Sequence, residues 1–440
     1  MNRRAFLAAS GSLALANAVT RRSRASAANK PALLGGKPVR TDPFPGWPPT
    51  SAPMEQAVAQ VVRSGNWYRN GNVEAFEERY AEMNNAGFCV ATSSGTTALF
   101  TSLGALGVGP GDEVIVPPFT FLATVTVVLL HHALPVFVDS DPETFLMDPG
   151  KLDAAVTDRT KAVIPVHIGG NVADLDRIGT VTESRNIPIV GDACQAHLAE
   201  WKGKSAGSWG TTGCYSFQLS KNLCSGEGGA IVTNDESAAD ACFAFHNCLR
   251  RRSGTRSELQ YRGGRNGNFR MTEFQAAVLL SQLPEIAARA VTRSENAAYL
   301  TSQLQEIPGI RPAKIYDGCT RNAYHLYMFR YSAEQFAGLS RNGFVKAMRA
   351  EGIPCSPGYD PLNKAEFIRD ALSSPAYRRV YGDAELARWA ERCECPENDR
   401  LCAESVWLYQ NVLLTDRSAM DQIAEAVRKI HAHAAALASA

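Results

Sequence analysis

Seven short apolar runs recur through the middle of the chain: Phe88–Ala91, Glu113–Val116, Val136–Val138, Ala162–Val166, Pro188–Val190, Cys214–Phe217 and Ala230–Val232. Several are separated by stretches with helical length and pattern, such as Thr97–Leu106 and Leu175–Arg185. Strands alternating with helices predict an α/β domain with a mainly parallel seven-stranded sheet. Ligands of such sheets sit at the carboxyl ends of strands.

Beyond about Arg293 this rhythm loosens into one candidate strand (Tyr324–Arg330), helices and a Pro/Gly-containing loop (Gly352–Pro361), which reads as a smaller C-terminal α+β domain. Ahead of the sheet lies a Pro-rich stretch (Pro43, Pro45, Pro48, Pro49, Pro53), read as an extended arm. A helix is expected to start near Pro53 and to end near Gly65. The chain thus divides into residues 1–27, an arm and helix over 28–64, a large domain over 65–292 and a small domain over 293–440.

The first 27 residues read as an export signal. Arg3-Arg4 and Phe6-Leu7 open an apolar segment of 15 residues, Ala5 to Val19, and Ala25-Ser26-Ala27, or alternatively Ala16-Asn17-Ala18, offers a small-residue cleavage site. The paired arginines resemble the twin-arginine type, which exports folded cargo, so a periplasmic or extracytoplasmic location is expected, with the cytoplasm as the alternative. The apolar segment is too short and interrupted for a comfortable membrane span.

A formal net charge of +1 on 440 residues offers no general pull toward nucleic acid or acidic membranes, which favours a small-molecule substrate. The eleven cysteines are scattered, apart from a cluster at Cys393, Cys395 and Cys402. No CxxC pair exists and no histidine lies near the cluster, so a zinc site is disfavoured and no metal is expected. A Cys395–Cys402 disulfide would suit an exported chain.

Three segments carry chemistry. Ser93-Ser94-Gly95-Thr96-Thr97-Ala98-Leu99 follows the first strand directly, placing free backbone amides and hydroxyls at a positive helix terminus, where a phosphate could sit. By itself the run is equally a helix cap, and it matches neither the GxxxxGK[ST] nor the GxGxxG pattern. Gly191-Asp192-Ala193-Cys194-Gln195-Ala196-His197 is a second strand end, here bearing an acid able to hold a ribose, a metal or a ring nitrogen. Twenty-nine residues after Asp192, Lys221 stands between an apolar strand and the glycine-rich Gly226-Glu227-Gly228-Gly229. That setting can desolvate the amine and lower its pKa, as imine chemistry requires.

With these segments the chain resembles the DegT–StrS-type sugar aminotransferases, a pyridoxal-phosphate (PLP) family of fold type I. The similarity runs from about Gly65 to Leu414 and includes Gly109-Pro110-Gly111-Asp112-Glu113-Val114-Ile115-Val116-Pro117, Thr120-Phe121, Pro165-Val166-His167, Asp192–His197, Lys221–Gly229 and Asn268-Phe269-Arg270-Met271. The resemblance implies that Lys221 holds PLP as a Schiff base and shuttles a proton, and that Asp192 keeps the pyridine nitrogen protonated. It further implies that Phe121 stacks on the ring and that Gln195 lies near the phenolic oxygen. Gly95, Thr96 and Ser216 would bind phosphate, while Asn268 would reach in from the partner of a homodimer. His167, His197, His246 and His325 are read as structural.

The sequence departs from the family pattern at three places. Leu198 stands where glycine commonly follows Gln-Ala-His, Gly169-Gly170 replaces a Tyr-Gly pair, and Gly263-Gly264-Arg265-Asn266-Gly267 lacks the usual aromatic. Leu34-Gly35-Gly36-Lys37-Pro38-Val39-Arg40 and Phe245-His246-Asn247-Cys248 resemble the branch that moves nitrogen from glutamine to keto-inositols such as scyllo-inosose. The expected activity is therefore transamination from glutamine or glutamate to a keto-sugar or keto-cyclitol. The alternatives are PLP-dependent sugar dehydration, whose enzymes tend to carry histidine at the position of Lys221, and an exported non-catalytic relative.

Overall fold

The computed structural model describes residues 30–252 and 264–440. The expected signal falls on residues outside that range, as does Gly263. Seven strands form the large sheet: β1 (Phe88–Thr92), β2 (Glu113–Val116), β3 (Leu134–Phe137), β4 (Thr160–Val163), β5 (Val190–Asp192), β6 (Thr212–Ser216) and β7 (Gly229–Thr233). Their spatial order is β1-β7-β6-β5-β4-β2-β3, the two halves meeting through parallel bridges Val163–Ile189 and Val166–Asp192. Only β7 runs against its neighbours, pairing antiparallel with β1 and β6.

Successive side chains of a strand face opposite sides, and here both sides are covered. Val114 and Val116, Val190, Cys214 and Ile231 enter one apolar cluster, with Leu99 and Leu103 from helix α3 (Gly95–Ala105). Cys89, Ala91, Tyr215, Ala230 and Val232 face the other side, against Phe76 and Tyr80 of helix α2 (Gly71–Met83). Burial on two sides is why the strands read as unbroken apolar runs.

Helix α1 (Ala52–Ser64) starts on the Ser51 cap, with Pro53 in its first turn, and stops at Gly65 (φ +71°), where a left-handed residue closes it. The expected domain division at Arg293 falls inside a single helix, α4 (Glu273–Leu304). Its first half, through Ala276, Leu279 and Ile286, packs in the large domain, and its second half, through Ala297, Leu300 and Leu304, in the small one. The small domain is an antiparallel sheet of β8 (Ile310–Pro312), β9 (Leu326–Tyr331), β11 (Ser405–Tyr409) and β10 (Cys355–Pro357), in that order. The segment expected to be a loop at Gly352–Pro361 thus contains strand β10, which pairs Cys355 with Leu408.

All eleven cysteines are unpaired. Cys395 caps the helix Pro396–Glu404 that contains Cys402, and two helical turns separate the pair by roughly 10 Å. Disulfides need Cα atoms within about 7 Å, so the expected Cys395–Cys402 bond is not made; both thiols are buried.

Candidate active site

Helix α3 begins where β1 ends. Ser94 Oγ accepts the N–H of Thr97 at 3.1 Å, and Thr97 Oγ1 accepts the N–H of Ser94 at 2.9 Å. This reciprocal cap leaves the amides of Gly95 and Thr96 without intrahelical acceptors, at the positive end of the helix dipole. Ser216, the last residue of β6, lies against this terminus so closely that a Cβ on Gly95 would stand 2.6 Å from the Ser216 Cβ and 2.9 Å from Cys194 Sγ. On the other flank a Cβ on Gly229 would stand 2.2 Å from the Ser94 carbonyl oxygen. Two glycines therefore let a helix terminus and two strand ends converge on a cradle sized for a phosphate.

Asp192 closes β5, 5% exposed. Its Oδ2 accepts the Thr124 hydroxyl at 2.8 Å and its Oδ1 accepts the Cys194 N–H at 3.1 Å. Because Thr124 gives its proton to Asp192, it accepts from the Thr120 hydroxyl 2.9 Å away. The two threonines thus aim and hold the carboxylate. Lys221 sits in the turn after β6, its backbone N–H donated to the Gln218 carbonyl at 2.9 Å. Burial pushes its amine below the usual lysine range, opposed by the nearby Cys194 and Asp192 side chains. Gln195 is fixed at both ends, accepting the Gly169 N–H at 2.8 Å and donating to the Tyr359 hydroxyl at 3.0 Å.

Gly95, Thr96, Phe121, Asp192, Gln195, Ser216 and Lys221 all line one cavity of about 840 Å³. Phe121 is 53% exposed there, free to cover a planar ring. Asn268 does not line the cavity; it is exposed and bridges the backbone of Asn247 instead. The lining also includes groups that the sequence reading missed: Thr120, Thr124, Trp47, Tyr359, Trp407, Tyr409, Gln410 and Asn411. His325, set aside as structural, also belongs to the wall. Its Nδ1 meets Asn222 Oδ1 at 3.3 Å, and Asn222 Nδ2 donates to the Ala323 carbonyl at 2.8 Å. With that amide orientation Nδ1 carries the proton, and burial holds the ring neutral. His197 lies outside the cavity and is structural: Nε2–H donates to the Ser216 carbonyl and Nδ1 accepts from Tyr80, both at 2.8 Å. Burial brings its pKa to about 3.

A model of the DegT/DnrJ/EryC1/StrS aminotransferase family matches residues 50–428. The chain belongs to that family. Among curated members, the L-glutamine:2-deoxy-scyllo-inosose aminotransferase of Streptoalloteichus tenebrarius is 37% identical over 419 residues, covering 91% of this chain and 97% of the relative. The enzyme of the same name from Streptomyces kanamyceticus is 36% identical over 428 residues, covering 93% and 98%. Of solved structures, 3-amino-5-hydroxybenzoic acid synthase superposes with a TM-score of 0.79 at 31% identity, over 90% of this chain and 100% of its own. The S. venezuelae DesV structure gives 0.71 at 29%, over 86% and 94%.

This DegT-family chain is an enzyme, and its donor set fits PLP. The Gly95–Thr96–Ser216 cradle suits the phosphate, the buried Asp192 carboxylate suits a protonated pyridine nitrogen, and the desolvated Lys221 amine suits an aldehyde. Leu198 adopts φ +63° and is 8% exposed. That backbone conformation favours glycine, the residue the resemblance leads one to expect here, and makes leucine the strained choice.

Proposed function

We propose that this protein transfers the α-amino group of glutamine to a neutral keto-cyclitol of the 2-deoxy-scyllo-inosose kind. The observation that carries the reading is the meeting of Lys221, Asp192 and the α3 terminus in one cavity whose wall also holds aromatic, carboxamide and aliphatic side chains, His325 and the Glu227 carboxylate. Among the described lining residues Lys221 is the sole Lys or Arg, so a neutral polyol suits the wall better than a nucleoside diphosphate, which would call for further cations. When bound, PLP supplies an electron sink for the carbon that loses its proton. Lys221 Nζ then takes and returns that proton, helped by a desolvated environment that favours the neutral amine. Asp192, its carboxylate fixed by Thr124 and the Cys194 amide, would hold the ring nitrogen. Glutamine leaves as its 2-oxo acid and the ketone leaves as an amine, so the two half-reactions balance.

Incubation of the PLP-loaded enzyme with glutamine and 2-deoxy-scyllo-inosose should yield the cyclitol amine and the 2-oxo acid amide, read by mass spectrometry. Turnover only of nucleotide-linked keto-sugars, or of none of these, would remove the reading. A homodimer belongs to the same proposal: Asn268 is exposed and outside its own cavity, as a residue serving a neighbour's site would be. Equal activity of a dilute monomer would count against it. Export rests on Arg3-Arg4 and the apolar segment behind them. A reporter fused to residues 1–40 that loses export on Arg3→Lys/Arg4→Lys would support it; unchanged export would not.

A further inference from the structure

The N-terminal arm is not a loose leader to the fold; it is fixed to both domains and ends in the active-site wall. The buried Glu351 carboxylate accepts the Ala32 and Val39 amides at 2.7 and 2.9 Å and pairs with Lys429 Nζ at 2.9 Å. Lys429 also donates to the Lys37 carbonyl at 2.6 Å. Gly352 (φ +84°) makes room for the Arg40 carbonyl oxygen, which a Cβ would approach to 2.1 Å. Further along, Asn411 Nδ2 donates to the Pro45 carbonyl at 2.7 Å. The chain then delivers Trp47, whose indole N–H donates to the Leu219 carbonyl at 3.0 Å, two residues before Lys221. The Arg289 and Arg293 guanidinium carbons lie 5.8 and 5.5 Å from the Trp47 ring centre, within cation–π range. Arg293 in turn donates to Gln410 Oε1, another member of the wall.

The residues suited to PLP account for part of the cavity wall. Trp47, Trp407, Tyr409, Gln410 and Asn411 belong to the remainder. A carbocyclic polyol presents apolar C–H faces and a polar rim, and a flat ring beside carboxamides is complementary to both. Trp47 is also held by one hydrogen bond and two cation–π contacts that need no ligand, so its placement costs little ordering when the acceptor arrives. We propose that Trp47 is a specificity-determining residue for the acceptor, its indole seated against the C–H face of a carbocyclic ketone, with the arm as the strap that holds it there. The proposal rests on the glutamine-to-cyclitol reading above.

The test compares kcat/KM for 2-deoxy-scyllo-inosose with kcat/KM for glutamine in the cofactor-loaded wild type, Trp47→Ala and Trp47→Phe. The acceptor-to-glutamine ratio should fall about tenfold in Trp47→Ala, the effect of losing one well-placed aromatic contact, and should largely recover in Trp47→Phe. Should the alanine variant fail to retain cofactor absorbance, Trp47→Leu keeps bulk without a π-face and should show the same fall. A ratio unchanged in the alanine or leucine variant, because both constants drop together or neither does, would overturn the proposal and leave Trp47 a structural residue. Wild-type enzyme that does not turn over 2-deoxy-scyllo-inosose with glutamine would remove the parent reading and this one together; wild-type turnover with an unmoved ratio removes only this one.

Discussion

Gly95→Ala isolates the phosphate cradle. The added Cβ would lie 2.6 Å from the Ser216 Cβ, 3.2 Å from its Cα and 2.9 Å from Cys194 Sγ. Carbon–carbon contacts are comfortable at about 3.5–4.0 Å, so the two elements must part by roughly 1 Å. Neither can yield freely. Strand β6 is paired on both sides, to β5 and β7, and the start of α3 is held on its other flank by Gly229, where a Cβ would stand 2.2 Å from the Ser94 oxygen. Overpacking of this kind costs about 1–3 kcal/mol, and the gain from replacing glycine in a helix, about 0.5–1 kcal/mol, does not cover it. A 1 Å retreat of the Gly95 and Thr96 amides would forfeit at least one hydrogen bond to a charged phosphate, worth about 1.5–3 kcal/mol, or roughly ten- to a hundredfold in Kd. Titration of the apoenzyme with PLP should show that weakening, whereas pyridoxal, which lacks the phosphate, should bind the variant and the wild type alike. Unchanged PLP affinity, or equal weakening for the two ligands, would refute the assignment of the α3 terminus to phosphate.

Other consequences can be checked separately. Borohydride reduction of PLP-loaded wild type should label the peptide containing Lys221, and Lys221→Ala should keep its circular dichroism while losing all turnover. Thr124→Val removes the hydroxyl donated to Asp192 and strands that of Thr120; a lost hydrogen bond to a charged group predicts a roughly tenfold or greater fall in kcat, largely restored by Thr124→Ser. Since burial lowers the Lys221 pKa, the neutral amine is populated below the usual lysine range, and imine formation between apoenzyme and pyridoxal should rise with pH and level off early. Asp192 favours the ammonium form, so Asp192→Asn should move that plateau to still lower pH; a shift upward would contradict the sign. Leu198→Gly relieves a left-handed backbone worth about 1–2 kcal/mol but removes a buried leucine worth about 2–5 kcal/mol, so thermal unfolding should come earlier, not later.

The chemistry of the cofactor end was legible because each part is contiguous in sequence. Asp192 closes β5, and Ser94-Gly95-Thr96 and Lys221 lie in the turns that follow β1 and β6; a strand end and its turn need no knowledge of distant contacts to be placed. Thr124 was missed because nothing distinguishes it from other helical threonines until the fold brings it 2.8 Å from Asp192, 68 residues away. His325 was passed over for a similar reason: a histidine at the start of an apolar strand reads as core until Asn222, beside Lys221, is seen to fix its proton. The division at Arg293 marks a real change in rhythm, from strand–helix alternation to looser pattern. Yet the helix itself continues, because its apolar positions feed two successive cores.

The parts of the cavity wall are built by different means, and this bears on how such a fold changes substrate. Asp192 and Ser216 come from adjacent parallel strands, with Asp192 in register with Cys214, so sheet pairing alone fixes their spacing. Another part of the wall is assembled from the arm at Trp47 and the end of β11 at Tyr409–Asn411, segments joined by side-chain bonds such as Asn411 to Pro45. A substitution in the sheet disturbs cofactor geometry and fold together, whereas one in the arm or after β11 alters the wall while the register of β5 and β6 stands. Acceptor choice can therefore drift without loss of the shared chemistry, which is how one scaffold comes to host many substrates.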